Sequence, residues 1–174
     1  MHRALSASRI MLLSMAMALL AGCGAGSDVD DPAVLEQRAK FLLDTEPEGV
    51  ADVEQVREKV KNKSDEVALV GQIGGVDDPW SKGRAGFVVI DPTVANHNSD
   101  ECHDAECPHC QKKNEAKRLR AIALVEFVED GQVVPIEAKK LFRVKEGQLV
   151  VVRGRAKLND DQLVIEADGL YIRE

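Results

Sequence analysis

Three cysteines and three histidines lie close together in one short stretch of this chain, and five of these residues are candidate ligands: His97, Cys102, His103, Cys107 and Cys110. Thiolate sulfur and imidazole nitrogen are ligands that suit Zn(II), and a thiolate-rich site also suits Cu(I). The Cys-x-x-Cys pair can supply two ligands from one tight turn. Cys102 with a histidine, or the two histidines together, can complete a tetrahedral site. His103 ranks above His97 because it lies four residues before Cys107. The spacing predicts a zinc or copper site.

A redox function is the main alternative for the same segment. Cys107-Pro108-His109-Cys110 resembles the active-site pair of the strongly oxidising periplasmic thioredoxin-superfamily proteins. That resemblance implies a thiol–disulfide enzyme. The thioredoxin arrangement requires helices after the motif, whereas strand-like sequence follows it here. An inert loop is the third interpretation, and metal binding remains the preferred one.

The N-terminus predicts export. Residues 1–22 combine basic residues with a short apolar run, as a signal peptide does. The ending Leu20-Ala21-Gly22-Cys23 resembles the lipobox of bacterial lipoproteins, which implies a covalent lipid on Cys23, a membrane anchor and a place in the cell envelope. Gly24 implies the periplasmic side of the outer membrane. The alternative is an ordinary secretory signal with an incidental cysteine. Acylation of Cys23 would leave three cysteines, an odd number that favours thiolate ligands over structural disulfides.

The charge argues against nucleic acid as a partner. Loss of residues 1–22 removes two arginines and no acidic residue, so the net charge changes from −7 to −9. Nucleic-acid affinity depends on neutralising phosphates with Lys and Arg. We also find no nucleophile elbow or phosphate-binding loop. The sequence therefore favours a non-enzymatic binding module, whose partner is an unidentified protein or small ligand.

The chain after the signal divides into three predicted parts. Residues 23–31 form a small and acidic tether, and residues 32–64 form a helical segment. Asp31 is the predicted N-cap of the first helix, with Pro32 at its first position. Four valines of the second helix are spaced to share one face: Val50, Val53, Val56 and Val60. The charged residues of both helices are expected to be solvated.

Residues 65–174 are predicted to be mainly β. Five β-branched segments separated by turn residues indicate five strands, and "IEAKKLF" indicates a short helix between the third and the fourth. This order predicts a five-stranded OB-fold-like barrel. The Cys/His loop, residues 92–117, connects the second and third strands and is far longer than a hairpin needs.

This region also resembles a known family. "VALVGQIGG" and "LVVVRGRAKLNDDQLVIEADGLYI" resemble the OB-fold domains labelled nucleic-acid-binding in exported bacterial proteins, and "DPWSKGRAGFVVID" followed by "HDAECPHC" resembles a group of small bacterial lipoproteins. The label implies single-stranded nucleic acid as a further alternative. The residues that would serve it are Trp80, Lys82, Arg84, Phe87 and Phe127. We expect both phenylalanines in the core and Trp80 as a lid on a loop.

Overall fold

The computed structural model describes residues 31–61, 63–95 and 115–173. The helices are α1 Pro32–Phe41, α2 Val53–Lys59, α3 Pro92–Ala95, α4 (residues 115–120) and α5 Ala138–Phe142. The strands are β1 Val50–Ala51, β2 Asp65–Ile73, β3 Gly86–Ile90, β4 Ile122–Glu129, β5 Gln132–Val133, β6 Leu149–Asn159 and β7 Gln162–Ile172. The prediction of a mainly β chain with few helices is confirmed.

Five long strands pair in a ring. β2 pairs with β3, β3 with β4 and β6 with β7, all antiparallel, and β4 pairs in parallel with β7. The antiparallel pairing of β2 with β6 returns to the first strand. The short strands β1 and β5 add to β2 and β4 and were not predicted.

Strand β6 shows why this sequence forms a sheet with one buried face. Val150, Val152 and Ala156 are fully buried, whereas the alternate residues Arg153 and Arg155 are exposed. Period-two alternation of this kind places one face of a strand on the core. Gly154 lies where a Cβ atom would come within 2.2 Å of the Glu166 carbonyl oxygen, and the register shifts at this point. Only glycine allows β7 to approach so closely.

The N-terminal helices share one core with the strands. Val34 and Phe41 of α1 belong to the same hydrophobic cluster as the inward side chains of the ring. The Asp31 side chain accepts a hydrogen bond from the Ala33 amide at 3.0 Å, which confirms the predicted N-cap. In α2, Val53 and Val56 are fully buried.

One of the four valines that were predicted to share a face of the second helix lies outside that helix. Val50 lies in β1 and pairs with Ala68 of β2, so the helix begins only at Val53. The pairing of Leu69 with Ala51 extends the same contact. The prediction placed Val50 in the helix because its spacing from Val53 fits one face of a helix.

All four phenylalanines and the single tryptophan of the chain form one aromatic cluster. Phe127 is its centre, with ring centroids 5.5 Å from Phe41, 5.9 Å from Phe87 and 4.4 Å from Phe142. Trp80 packs edge-on against Phe87 at 6.2 Å. The cluster therefore joins α1, the ring and α5 in one core.

Polar contacts hold the N-terminal segment to the sheet. The Leu43 amide donates to the Leu170 carbonyl at 2.8 Å, beyond the part of β7 that pairs with β4. Glu129 accepts hydrogen bonds from Lys40 at 2.7 Å and from Gln37 at 2.8 Å. The hydrogen bond from Lys40 is the main reason why the pKa of Glu129 is lowered. Helix α1 is thus fixed through both its buried and its polar side chains.

Replacement of Phe41 by alanine tests the contribution of α1 to the shared core. We expect Phe41→Ala to lower the free energy of unfolding by about 3 to 5 kcal/mol, because it opens a cavity beside Phe127 in the aromatic cluster. Leu35→Ala on the same helix is the control, since Leu35 is 48% exposed, and its effect should stay within about 0.5 kcal/mol. Urea unfolding of the mature domain measures both. Equal effects of the two substitutions would contradict a shared core.

The Glu129 contacts predict a dependence of stability on pH. The folded state lowers the pKa of this carboxyl below its ordinary value of 4.5, so its stabilising effect is complete above that value and is lost as the pH falls through the lowered pKa. We expect Glu129→Gln to lower the Tm slightly at neutral pH and the difference from the wild type to shrink in acid. Thermal unfolding across the acidic range checks this. A difference that grows in acid would have the wrong sign, and Glu36→Gln, on the exposed side of α1, is the control.

Candidate functional site

The predicted metal ligands and the predicted lipidation site lie outside the described residues. This applies to His97, Cys102, His103, Cys107 and Cys110, and to Cys23. The structure describes the two ends of the Cys/His loop: α3 (Pro92–Ala95) where it begins and α4 (residues 115–120) where it ends. The geometry of these ends determines what the segment between them can do.

The two ends of the Cys/His loop leave the sheet side by side. Ile90, the last residue of β3, pairs with Ile122, the first residue of β4. One step further out, the Asp91 amide donates to the Ala121 carbonyl at 2.8 Å. The chain therefore leaves the sheet after Asp91 and returns to it at Ala121, at the same end of the β3–β4 pair.

A buried carboxylate fixes the first end. Asp91 is 5% exposed, and its Oδ1 accepts hydrogen bonds from the Thr93 amide at 2.9 Å and the Thr93 hydroxyl at 2.7 Å. Its Oδ2 accepts from the Val53 amide at 3.3 Å, at the first residue of α2. The carboxylate therefore caps the start of α3 and reaches one of the free amides at the start of α2.

A buried guanidinium fixes the other end. Arg57 of α2 is 8% exposed, and its Nε donates to the Arg120 carbonyl at 2.6 Å. Its Nη2 donates to the Ile122 carbonyl at 3.3 Å, and its Nη1 donates to the Asp161 carbonyl at 2.7 Å in the β6–β7 turn. Burial lowers the pKa of Arg57. Helix α2 therefore holds both ends of the loop, and we call Asp91, Arg57 and the backbone they bind the loop clamp.

Sequence reasoning missed both side chains of the loop clamp. Arg57 contradicts the expectation that the charged residues of the N-terminal helices are solvated, because it is buried and its guanidinium donates to backbone carbonyls. Its spacing, four residues after Val53 and three before Val60, places it on the buried face of α2 and is the signal that could have found it. Asp91 could have been found, since Asp91-Pro92 repeats the Asp31-Pro32 pattern that predicted the first N-cap.

The residues considered for nucleic-acid binding do not form a stacking surface. Phe87 and Phe127 are fully buried, which confirms their predicted place in the core. Trp80 is half-buried, and Lys139 Nζ already lies 4.9 Å from the centroid of its ring. Arg84 forms an ion pair with Glu126 at 3.4 Å. Base stacking requires exposed aromatic rings along a positive groove, and these residues supply neither.

Trp80 and Lys82 line a small open pocket instead. Its volume is about 160 Å³ and its lining is Asp78, Trp80, Ser81, Lys82, Glu137, Ala138 and Lys139. Glu137 Oε1 accepts a hydrogen bond from the Gly83 amide at 3.1 Å, which fixes the loop before β3. Two carboxylates and two ammonium groups give the pocket no dominant charge, and its volume is below the usual range for a ligand site.

Within residues 31–61, 63–95 and 115–173, no group of histidine, cysteine, aspartate and glutamate side chains is arranged to hold a metal ion. In that same part of the chain, no helix has both the length and the apolar character needed to cross a membrane.

Comparison with known proteins finds no match for this chain among family models, curated proteins or solved structures. Any function must therefore be argued from the composition of the Cys/His loop and from the clamp that holds its ends.

The loop clamp makes a prediction about stability. Arg57→Met should lower the free energy of unfolding by at least about 2 kcal/mol, because it removes the charged, buried donor of hydrogen bonds to three carbonyl oxygens. Lys61→Met, at an exposed position just after the end of α2, should change it by less than about 0.5 kcal/mol. Chemical denaturation of the two variants measures the difference. Similar values for both would mean that Arg57 is not part of a clamp.

Proposed function

We propose that this chain is a lipid-anchored binding module of the cell envelope whose Cys/His loop holds one zinc or copper ion. The ligands are Cys107 and Cys110 with two of Cys102, His103 and His97. The observation that carries the proposal is the clamp: the loop richest in thiols and imidazoles is the one whose two ends the fold fixes side by side.

Holding the two ends of the Cys/His loop together favours metal binding because it lowers the conformational entropy that is lost when the ligands meet. Bringing ligands together along a chain costs more conformational entropy as the free segment becomes longer. The 2.8 Å hydrogen bond between Asp91 and Ala121 already closes this loop, so the ion has only to organise the residues between them. A metal site then contributes the local folding energy that a long polar loop cannot obtain from a hydrophobic core.

The ligand types and the odd number of remaining cysteines favour a metal site over a structural disulfide. With Cys23 acylated, Cys102, Cys107 and Cys110 remain, and pairing two of them leaves one thiol over. Thiolate ligands need no even number. The redox alternative also needs the strand and helices of a thioredoxin fold, whereas β4 follows α4 directly and belongs to the ring of five strands.

We also propose that the five-stranded ring is an OB-fold-like barrel. Two observations support this assignment: the Greek-key order β2–β3–β4–β7–β6 with its return to β2, and the position of α5 between β4 and β6. In such a fold the Cys/His loop is an insertion between the second and third strands of the barrel. The proposed function therefore rests on this inserted loop and not on the surface of the barrel.

Metal content is the direct test. We would purify the mature domain anaerobically, starting at residue 24 so that Cys23 is absent, and measure metals and free thiols per chain. We expect about one zinc or copper per chain, because four soft ligands satisfy one tetrahedral ion. Cys107→Ser should lose the metal.

Two histidine variants separate ligands from neighbours in the same loop. His103→Ala should weaken metal binding by about 10-fold or more if His103 is a ligand, whereas His109→Ala, inside the Cys-x-x-Cys turn, should not. Less than a tenth of an equivalent of metal, together with a reducible Cys107–Cys110 disulfide that exchanges with model thiols, would overturn the proposal in favour of the redox alternative.

A further inference from the structure

Helix α1 carries a second apolar stripe that faces away from the core. Val34 and Phe41 are buried, whereas Pro32, Leu35 and Ala39 follow one another at intervals of three or four residues on another side of the helix, and Leu42, the C-cap residue directly after it, continues this spacing. Residues spaced in this way lie on one face. All four are exposed, and we call them the outer stripe.

The outer stripe contains most of the exposed large apolar surface of the described residues. Leu35 is 48% exposed and Leu42 is 39% exposed, and the third such side chain there is Leu119 at 57%. Single exposed leucines are ordinary on protein surfaces, but Leu35 on α1 and Leu42 at its C-cap, together with Pro32 and Ala39, place four exposed apolar residues along one side of this segment. The same helix is already held to the core by Phe41, so the stripe is not needed for folding.

The position of the outer stripe in the chain points to its partner. Only residues 24–31 separate the proposed lipid attachment at Cys23 from Pro32. Eight residues span at most about 29 Å even when fully extended. Helix α1 is therefore the described element that lies nearest in sequence to the proposed anchor.

A short tether makes even a weak contact effective. Once the lipid is inserted, contact between α1 and the bilayer is intramolecular, and short flexible linkers give effective concentrations of about 1 mM or more. Two half-exposed leucines would not bind a membrane by themselves, but they are sufficient to bias the orientation of a domain that is already tethered.

The charges around the tether define the kind of lipid. Residues 28–31 include Asp28, Asp30 and Asp31, which disfavour an anionic surface. The first two cations after the stripe begins are already engaged: Arg38 donates hydrogen bonds to backbone carbonyls of α5, and Lys40 forms an ion pair with Glu129 at 2.7 Å. We propose that the outer stripe of α1 rests on the surface of a zwitterionic phospholipid bilayer and sets the orientation of the anchored domain. This inference rests on the proposed lipid anchor at Cys23.

The test uses the full lipidated chain in phosphatidylcholine vesicles that contain a photoactivatable phospholipid. Cleavage before aspartates releases residues 31–43 without the lipidated N-terminus, so lipid crosslinks on α1 can be measured by mass spectrometry. We expect crosslinks in this peptide. The double variant Leu35→Glu, Leu42→Glu should reduce their yield by about 10-fold.

Leu119→Glu is the matched control, since it places the same charge on the one other exposed leucine of the described residues, and it should leave the α1 crosslinks unchanged. Vesicle flotation in the same samples reports the anchor separately. If the wild type floats but α1 gives no lipid crosslinks, or gives crosslinks only to a second copy of the chain, this inference is overturned and the anchor stands. If the wild type does not float, and Cys23→Ser behaves identically, the anchor fails and the inference fails with it.

Discussion

The parallel pairing between β4 and β7 closes the ring of strands, and the other features of the fold depend on it. Residues Ala123–Phe127 run beside Leu163–Ala167 in register. Without this pairing β2, β3 and β4 would form one antiparallel edge and β6 and β7 another, joined only through β2 and β6. With it, Val125 and Ile165 face the same interior, and both are fully buried. A parallel pair also requires a long crossover, which α5 and β6 provide.

The closed ring leaves short stretches of its strands unpaired, and the N-terminal segment covers them. β2 pairs with β3 only at Gln72 and Ile73, and β1 takes the neighbouring positions of β2. Leu43 does the same for the end of β7. This arrangement places α2 against the edge where β3 ends and β4 begins, and for that reason Arg57 and the Val53 amide meet the two ends of the Cys/His loop. The loop clamp is a consequence of how the sheet is completed.

Much of the sheet could be predicted from the sequence because its strands are rich in β-branched residues and alternate over part of their length. The β6 sequence around Arg153 and Arg155 shows the period directly, and turn residues bound each strand. The contacts between distant segments could not be predicted. Val50 fits a helical face as well as a strand, and only its pairing with Ala68 decides between them. Two-residue strands such as β1 carry too few residues to show any period.

The candidate site likewise has a part that the sequence predicts and a part that only the fold reveals. The ligand types and their spacing can be read from the sequence, and they predict the chemistry of the Cys/His loop. The loop clamp is a tertiary feature: helical spacing places Arg57 on the buried face of α2, but only the fold brings together its carbonyl partners from α4, β4 and the β6–β7 turn. Asp91 lies between these cases, because its Asp-Pro pattern is local but its contact with α2 is not.

We expect thiolates and imidazole of the Cys/His loop to bind one metal ion themselves. X-ray absorption spectroscopy at the edge of the bound metal identifies the ligand atoms and measures their distances. For zinc, we expect sulfur neighbours at about 2.3 Å together with nitrogen at about 2.0 to 2.1 Å, and loss of one sulfur or of the metal in Cys107→Ser. A coordination shell made only of oxygen and nitrogen would contradict it.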